Sequence, residues 1–397
     1  MLERLRDSYQ KFFSLSEFLP SENARILFFI ALAYQMFLFA TFVGDDAGTV
    51  QAYQSNVYTC WPFFQQCGEW YFLNLKQYGY SQTALYGFLF ILQTVALFAA
   101  IRGRWLAAHG IFLLTWLWEA FFLLVLSYEA GEAYSYLHLL LSAVLLFAAC
   151  KEWTARALVV FLYVLGGVTE FYRAYILDGL PKDMPLIPAG VELWFVHGAF
   201  ALQWIGVWYL LSKDARYRRG VLSVFVAFHV YAGVVFEQYY MLLIVPILPA
   251  LFWFDVPAKK PSGTYIWRMA IICLGLLMMH AWIIFALHSR SFTFARPHLG
   301  IATYFPATSG VSLATVRYED GTEKVIKGAW QNRPCRCSPY TRWFELKALC
   351  RGEPPIREIF WSLDLSFAHE PLHRVIETAN VCALDFSIFQ TNDWIQK

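Results

Sequence analysis

Residues 221–254 read VLSVFVAFHV YAGVVFEQYY MLLIVPILPA LFWF, and their length decides the fold class. As one helix the stretch would be about 51 Å long, far more than the roughly 30 Å of hydrocarbon in a bilayer. It is therefore read as two arms, with the polar Glu237-Gln238 and the adjoining Tyr239-Tyr240 marking the turn. Pro246 and Pro249 kink or tilt the second arm of this short hairpin.

Outward from the hairpin, seven further stretches reach spanning length: 24–43, 81–101, 105–128, 134–150, 157–177, 191–211 and 265–287. The fold class expected is a membrane all-α bundle of about nine transmembrane helices, including the hairpin, followed by a small C-terminal α+β domain. A chain that is 58% hydrophobic and 15% charged is too apolar for a water-soluble domain, so its principal partner is the lipid bilayer. The net charge of +2 is sorted by loop and forms no basic patch, and no nucleic-acid motif is present. The first apolar run is longer than a signal-peptide core and reads as an uncleaved anchor.

Orientation follows from the lysines and arginines, which gather in cytoplasmic loops. Arg4, Arg6 and Lys11 precede the first span, and Arg102 with Arg104, Lys151 with Arg156, Lys213 with Arg216, Arg218 and Arg219, and Lys259 with Lys260 follow every second one. The intervening loops are acidic or mixed, through Asp45, Glu69, Glu129, Glu132, Asp178 and Glu237. The alternation gives residues 1–23 as a cytoplasmic interfacial helix, with Leu2, Leu5, Tyr9 and Phe12 at helical spacing. It gives 24–287 as the transmembrane domain and 288–397 as an extracytoplasmic, periplasmic or extracellular, domain.

Six cysteines fall on that outer side, where disulfides form: Cys60, Cys67, Cys335, Cys337, Cys350 and Cys382. The spacing does not choose among their pairings. Cys150 and Cys273 fall in spans, and Cys335-Arg336-Cys337 lacks zinc spacing, so no metal site is expected. In the outer domain the apolar pattern changes to alternation. Residues 311–318 and 323–326, joined through Asp320-Gly321, read as a hairpin with a type I′ turn. Ser338-Pro339 opens a helix to about Leu349 with Trp343, Leu346 and Leu349 as its buried stripe. Residues 357–367 read as a strand, and 372–384 fit helix or strand equally.

Ionisable residues in a bilayer face protein or a wet cavity. Glu119, Glu170, Arg173, Glu192, His197, Glu237 and His280 fall in the outer halves of the spans and His229 near the middle. Their grouping implies a polar cavity opening outward, with Glu170, His229 and Glu237 as candidate catalytic residues and Glu119, Arg173, Glu192, His197 and His280 lining it. The bland alternative is local neutralisation, as between Glu170 and Arg173 three residues apart. The abundant aromatic residues suit packed helices and interfaces, and would also suit a quinone or lipid. GxGxxG, Walker A, HExxH, CxxC and GxSxG are all missing, so any chemistry comes from residues that helix packing brings together.

Four stretches resemble the horizontally transferred transmembrane (HTTM) family, whose relatives include the vitamin K-dependent gamma-carboxylases. They are YSYLHLLLSAVLLFAA at 134–149, YVLGGVTEF at 163–171, the hairpin at 224–254 with Phe228-His229, and ATYFPATSGVSLATVRYEDGTEKV at 302–325. The resemblance runs in order through nearly the whole chain. It implies a helical bundle joined to a β-containing outer domain, with Cys60 or Cys67 tied to a C-terminal cysteine. Where the carboxylases carry a lysine that acts as base, this chain has Glu170. A carboxylate is a poorer base than a desolvated amine, which weighs against carboxylation. The leading expectation is thus a maturation or modification factor for a secreted peptide, small protein or lipid-like partner. The alternatives are a quinone-dependent membrane oxidoreductase or carboxylase and, third, a transporter, which lacks support because no internal repeat is seen.

Overall fold

The structure is a computed structural model that describes residues 2–15, 21–44, 82–121, 133–172, 187–188, 190–235, 242, 244–254, 263, 266–267, 308–330, 339–350, 354–367, 373–378, 380–385 and 394. It is mostly helical, with a four-stranded antiparallel sheet near the C-terminus. The helices are α1 (Leu2–Phe12), α2 (Glu22–Gly44), α3 (Gln82–Ile101), α4 (Trp105–Phe121), α5 (Ala133–Phe147) and α6 (Lys151–Tyr172). α7 (Glu192–Ala201) then runs without interruption through a π turn (Leu202–Gly206) into α8 (Val207–Tyr209), and α9 (Ala215–Val235) and α10 (Ile244–Phe252) follow.

Among the described residues, two helical segments, Glu22–Ala40 and Ala84–Ile101, are long and apolar enough by themselves to cross a membrane. The others are shorter, broken by the π turn, or charged at one end. The expected hairpin is represented by two helices, as α9 ends at Val235 and α10 begins at Ile244, and Glu237 to Tyr240, expected at the turn, lie outside the described residues. The second arm is shorter than expected, because α10 covers about 14 Å and so cannot cross the hydrocarbon alone. Residues 268–300, which contain most of the last expected span, lie outside the described residues.

The bundle has an apolar core and also carries apolar side chains on its outer surface, with several polar side chains enclosed within it. Along α3 the outward stripe is Phe88, Ile91, Val95 and Phe98, exposed by 49 to 61%. The opposite stripe, Tyr86, Leu89, Gln93, Ala96 and Ala100, is buried and contains the helix's one glutamine that faces inward. Gln35, Thr115, Glu119, His138, Ser142, Gln203 and His229 are buried in the same way on other helices, while Phe37, Leu114, Ile205 and Val234 are exposed. Buried polar groups need partners, and contiguous exposed apolar stripes mark contact with a partner or a membrane.

At one end of the bundle the cations expected to mark the cytoplasmic loops close helix ends. Lys151 Nζ donates to the Leu146 and Ala148 carbonyls at the end of α5, both at 3.1 Å. Arg218 Nε donates to Phe252 O of α10 at 2.9 Å, and Arg219 Nε to Trp253 O at 3.2 Å. Each satisfies carbonyls that a helix terminus leaves open and meets the negative end of its dipole. Glu152 accepts from Ser21, Asn23 and Arg156, which joins the starts of α2 and α6. α1 docks at this same end, with Phe13 and Leu15 buried in the bundle core and Phe13 against Phe147. Cys150, expected inside a span, instead occupies the α5–α6 turn with a left-handed φ of 52°.

The C-terminal sheet contains β1 (Thr308–Tyr318), β2 (Glu323–Trp330), β3 (Ile356–Phe367) and β4 (His373–Thr378) in the order β2-β1-β3-β4. A helix, α11 (Pro339–Leu349), covers one face, so that Ala314, Val316, Ile359, Trp361, Leu363 and Ile376 pack beneath Trp343 and Leu346. Leu349, expected in the buried stripe, is exposed. The ambiguous segment resolves as β4 followed by a short 3-10 turn at Val381–Ala383. The hairpin turn is not type I′, which requires positive φ at both central residues. Gly321 N donates to Tyr318 O at 3.1 Å and Gly321 alone turns left-handed, at φ 85°, so a three-residue loop joins the strands. Asp320 Oδ1 accepts from both the amide and hydroxyl of Thr322, at 2.8 and 2.6 Å. Phe344 of α11 packs against the cluster of Phe39, Tyr86, Leu89, Ala120 and Leu139. These residues lie at the ends of α2, α3, α4 and α5 opposite to those that receive α1.

Candidate functional site

Two buried polar groups occupy the bundle. The first joins four helices around Glu119. Its Oε1 lies 2.7 Å from His138 Nδ1, and its Oε2 accepts from Gln35 Nε2 at 2.7 Å. Gln35 Oε1 accepts in turn from Thr115 Oγ1 at 3.0 Å and from the Gln93 amide, which also reaches Thr115. His138 Nε2 lies 3.1 Å from the Ala31 carbonyl and 3.3 Å from Ser142 Oγ, and the Tyr34 ring stacks on the imidazole. A carbonyl only accepts, so Nε2 carries a hydrogen and a single proton is shared between Nδ1 and Oε1. Whichever atom holds that proton, the pair is neutral as a whole, which lowers the cost of enclosing it among apolar helices. The arrangement ties α2, α3, α4 and α5 together.

The second group is open on one side. Tyr163 Oη of α6 lies 2.5 Å from His229 Nε2 of α9, and Phe225 packs on the phenol ring. His229 is 5% exposed, and its Nδ1 has no partner among the described residues. One turn further along α6, Gly167 permits a close approach: a Cβ there would stand 2.3 Å from Trp204 Nε1 and 2.9 Å from Gln203 Oε1. Both side chains come from the π turn. Such a turn widens the helix by one residue per hydrogen-bond ring and re-aims its side chains, a device common at functional sites. Tyr163 and Gly167, four residues apart, share one face of α6, and this stripe meets His229 and the π turn.

The side chain of Glu170 lies outside the described residues, as do Arg173, Glu237, His280, Cys60, Cys67, Cys335 and Cys337. Glu119 and His229 belong to different groups, and no described hydrogen bond links them. Glu192 is half-buried and accepts from the Gly190 amide at 2.6 Å, while His197 is on the exposed surface of α7. Cys350 and Cys382 form a disulfide, with Cα atoms 5.6 Å apart. The described residues contain no group of three or more His, Cys, Asp or Glu able to hold a metal.

Sequence reasoning from ionisable groups missed His138, Gln35, Gln93, Thr115, Ser142, Tyr163 and Gln203. The usable signal was their polarity: His138 and Ser142 are four apart in an otherwise apolar helix, and so share a face. No family model matches this chain. Characterised proteins and solved structures likewise yield no match.

Proposed function

We infer that this chain is a polytopic membrane protein of the HTTM type, with the N-terminus cytoplasmic and the C-terminal domain extracytoplasmic, that modifies or matures a secreted peptide or lipid-like partner. The membrane reading is supported by the apolar outer surface of the bundle, because an outward stripe such as Phe88 to Phe98 is favoured against an apolar surrounding. The run from Glu192 to Tyr209 adds support, for it is continuous across the π turn and covers about 27 Å with Trp194 and Trp208 exposed near its two ends. α1 and α11 engage opposite ends of the bundle, as the proposed sidedness requires.

The observation that carries the chemistry is His229: one ring nitrogen is held by Tyr163 and the other is buried without a described partner. An imidazole fixed in this way exchanges a proton with a bound group at Nδ1 while Tyr163 hydrogen-bonds Nε2, the usual pairing of a base with its orienting residue. Glu170, seven positions after Tyr163 in the sequence of α6, would supply a carboxylate. Glu119 with His138 serves packing in this reading, since each of its polar atoms is occupied.

The test compares secreted peptides and membrane lipids, by mass spectrometry, from cells that express the wild type or the His229→Asn protein at equal levels. The expected result is a mass-shifted species that needs the wild-type histidine. Identical profiles would contradict the proposed role.

A further inference from the structure

α1 presents two different surfaces. Tyr9 Oη lies 2.9 Å from His109 Nδ1 in the first turns of α4, and Phe13 and Leu15 are buried in the bundle. Burial raises the Tyr9 phenol above its usual range, so the hydroxyl stays protonated beside the imidazole. The rest of the helix faces away. Leu5 is 57% and Phe12 71% exposed, seven residues apart and so on one stripe. Arg4 and Lys11 keep the same spacing beside them.

The level of the helix narrows the identity of the partner. His109 is near the beginning of α4, so α1 lies where the bundle helices end and not at their middle. At this end of the bundle Arg4, Arg6, Lys11, Arg102 and Arg104 are exposed, against Glu3, Asp7 and Glu22, an excess of two positive charges. Exposed apolar side chains beside cations, at the depth where helices leave the hydrocarbon, match a leaflet surface: acyl chains below and anionic headgroups above.

We propose that α1 is an anionic-lipid-binding element, clamped to the bundle by Tyr9 and Phe13, that inserts Leu5 and Phe12 into the leaflet while Arg4 and Lys11 engage headgroup phosphates. This rests on the membrane reading above. It adds a lipid preference that the bundle alone would not have.

The experiment uses the full chain reconstituted in vesicles of phosphatidylcholine alone, or with about one lipid in three replaced by phosphatidylglycerol. Flotation after an alkaline wash first reports whether the chain is integral, and failure there overturns the membrane reading itself. Hydrogen–deuterium exchange of residues 2–15 then tests the inference. The expected result is exchange roughly twenty-five-fold slower in the anionic vesicles, about fivefold for each of the two basic residues at an anionic surface. Arg4→Ser/Lys11→Ser abolishes the difference between the two vesicle types, and Leu5→Asp/Phe12→Asp abolishes the protection in both. Inorganic phosphate added to neutral vesicles leaves exchange unchanged. Equal exchange of the wild type in both vesicles, or protection reproduced by free phosphate, overturns the proposal while the membrane reading stands.

Discussion

His138 Nδ1 lies 2.7 Å from Glu119 Oε1, and both side chains are nearly inaccessible, 4% and 1% exposed. Removing one partner strands the other in an apolar interior, and removing Glu119 also strands the Gln35 amide. Glu119→Leu and His138→Leu are each expected to lower stability by about 3–5 kcal/mol. The double variant should lose less than the sum of the two single losses, because it removes both members of the pair at once. Chemical unfolding in detergent micelles checks the cycle, and additive losses would show that the two residues do not act as a pair.

Gly167 faces a different constraint, one of space. With Trp204 Nε1 2.3 Å from where a Cβ would stand, Gly167→Ala must push the indole or the π turn aside. A cost of about 1–3 kcal/mol is expected, in keeping with other overpacked sites. Trp204→Leu should recover part of that loss when combined with it, as measured by thermal unfolding in detergent.

The disulfide between Cys350 and Cys382 closes a segment with a sequence separation of 32. Lys347 Nζ, donating to Cys382 O at 2.8 Å, holds the same segment against α11. Loop-closure entropy gives the covalent link about 3–4 kcal/mol. Cys350→Ser/Cys382→Ser should therefore lower the denaturant midpoint of the C-terminal domain in the full chain, and a midpoint unchanged by both the substitution and a reductant would contradict this.

Asp320 sets the acid limit of the β1–β2 turn. Hydrogen bonds from the Thr322 hydroxyl and then its amide hold the carboxyl below its ordinary value. A carboxylate with a depressed folded pKa stabilises the fold above its unfolded value, near about 3.9, and loses that contribution as pH falls through the folded value. Protection of the Tyr318 and Thr322 amides should thus be flat from neutral pH down to about 4 and decline below it. Thr322→Val should weaken the acid-induced decline by removing the hydroxyl bond.

The elements that were legible in the chain are those whose signals are local. Residues 221–254 divide between α9 and α10, as their length predicted, and β1, β2 and α11 follow their alternation and proline start. The turn type was not legible, since Asp-Gly serves both a type I′ turn and a loop in which Gly321 alone is left-handed. Glu119 was visible as a charge in a span, but its partners were not. His138 is 19 positions away and Gln35 is 84, and only helix packing brings them together. The cations had the opposite history. Lys151, Arg218 and Arg219 were read as loop charges, and their carbonyl partners on the ends of neighbouring helices depend on tertiary structure.

The account rests most heavily on the bundle lying in lipid with the sheet domain beyond it. The direct measurement uses intact cells expressing a chain in which the other cysteines are replaced by serine. An impermeant reductant opens the Cys350–Cys382 bond, and an impermeant maleimide then labels the freed thiols. Labelling in intact cells is the predicted result. Protection until the membrane is permeabilised would contradict the proposed orientation.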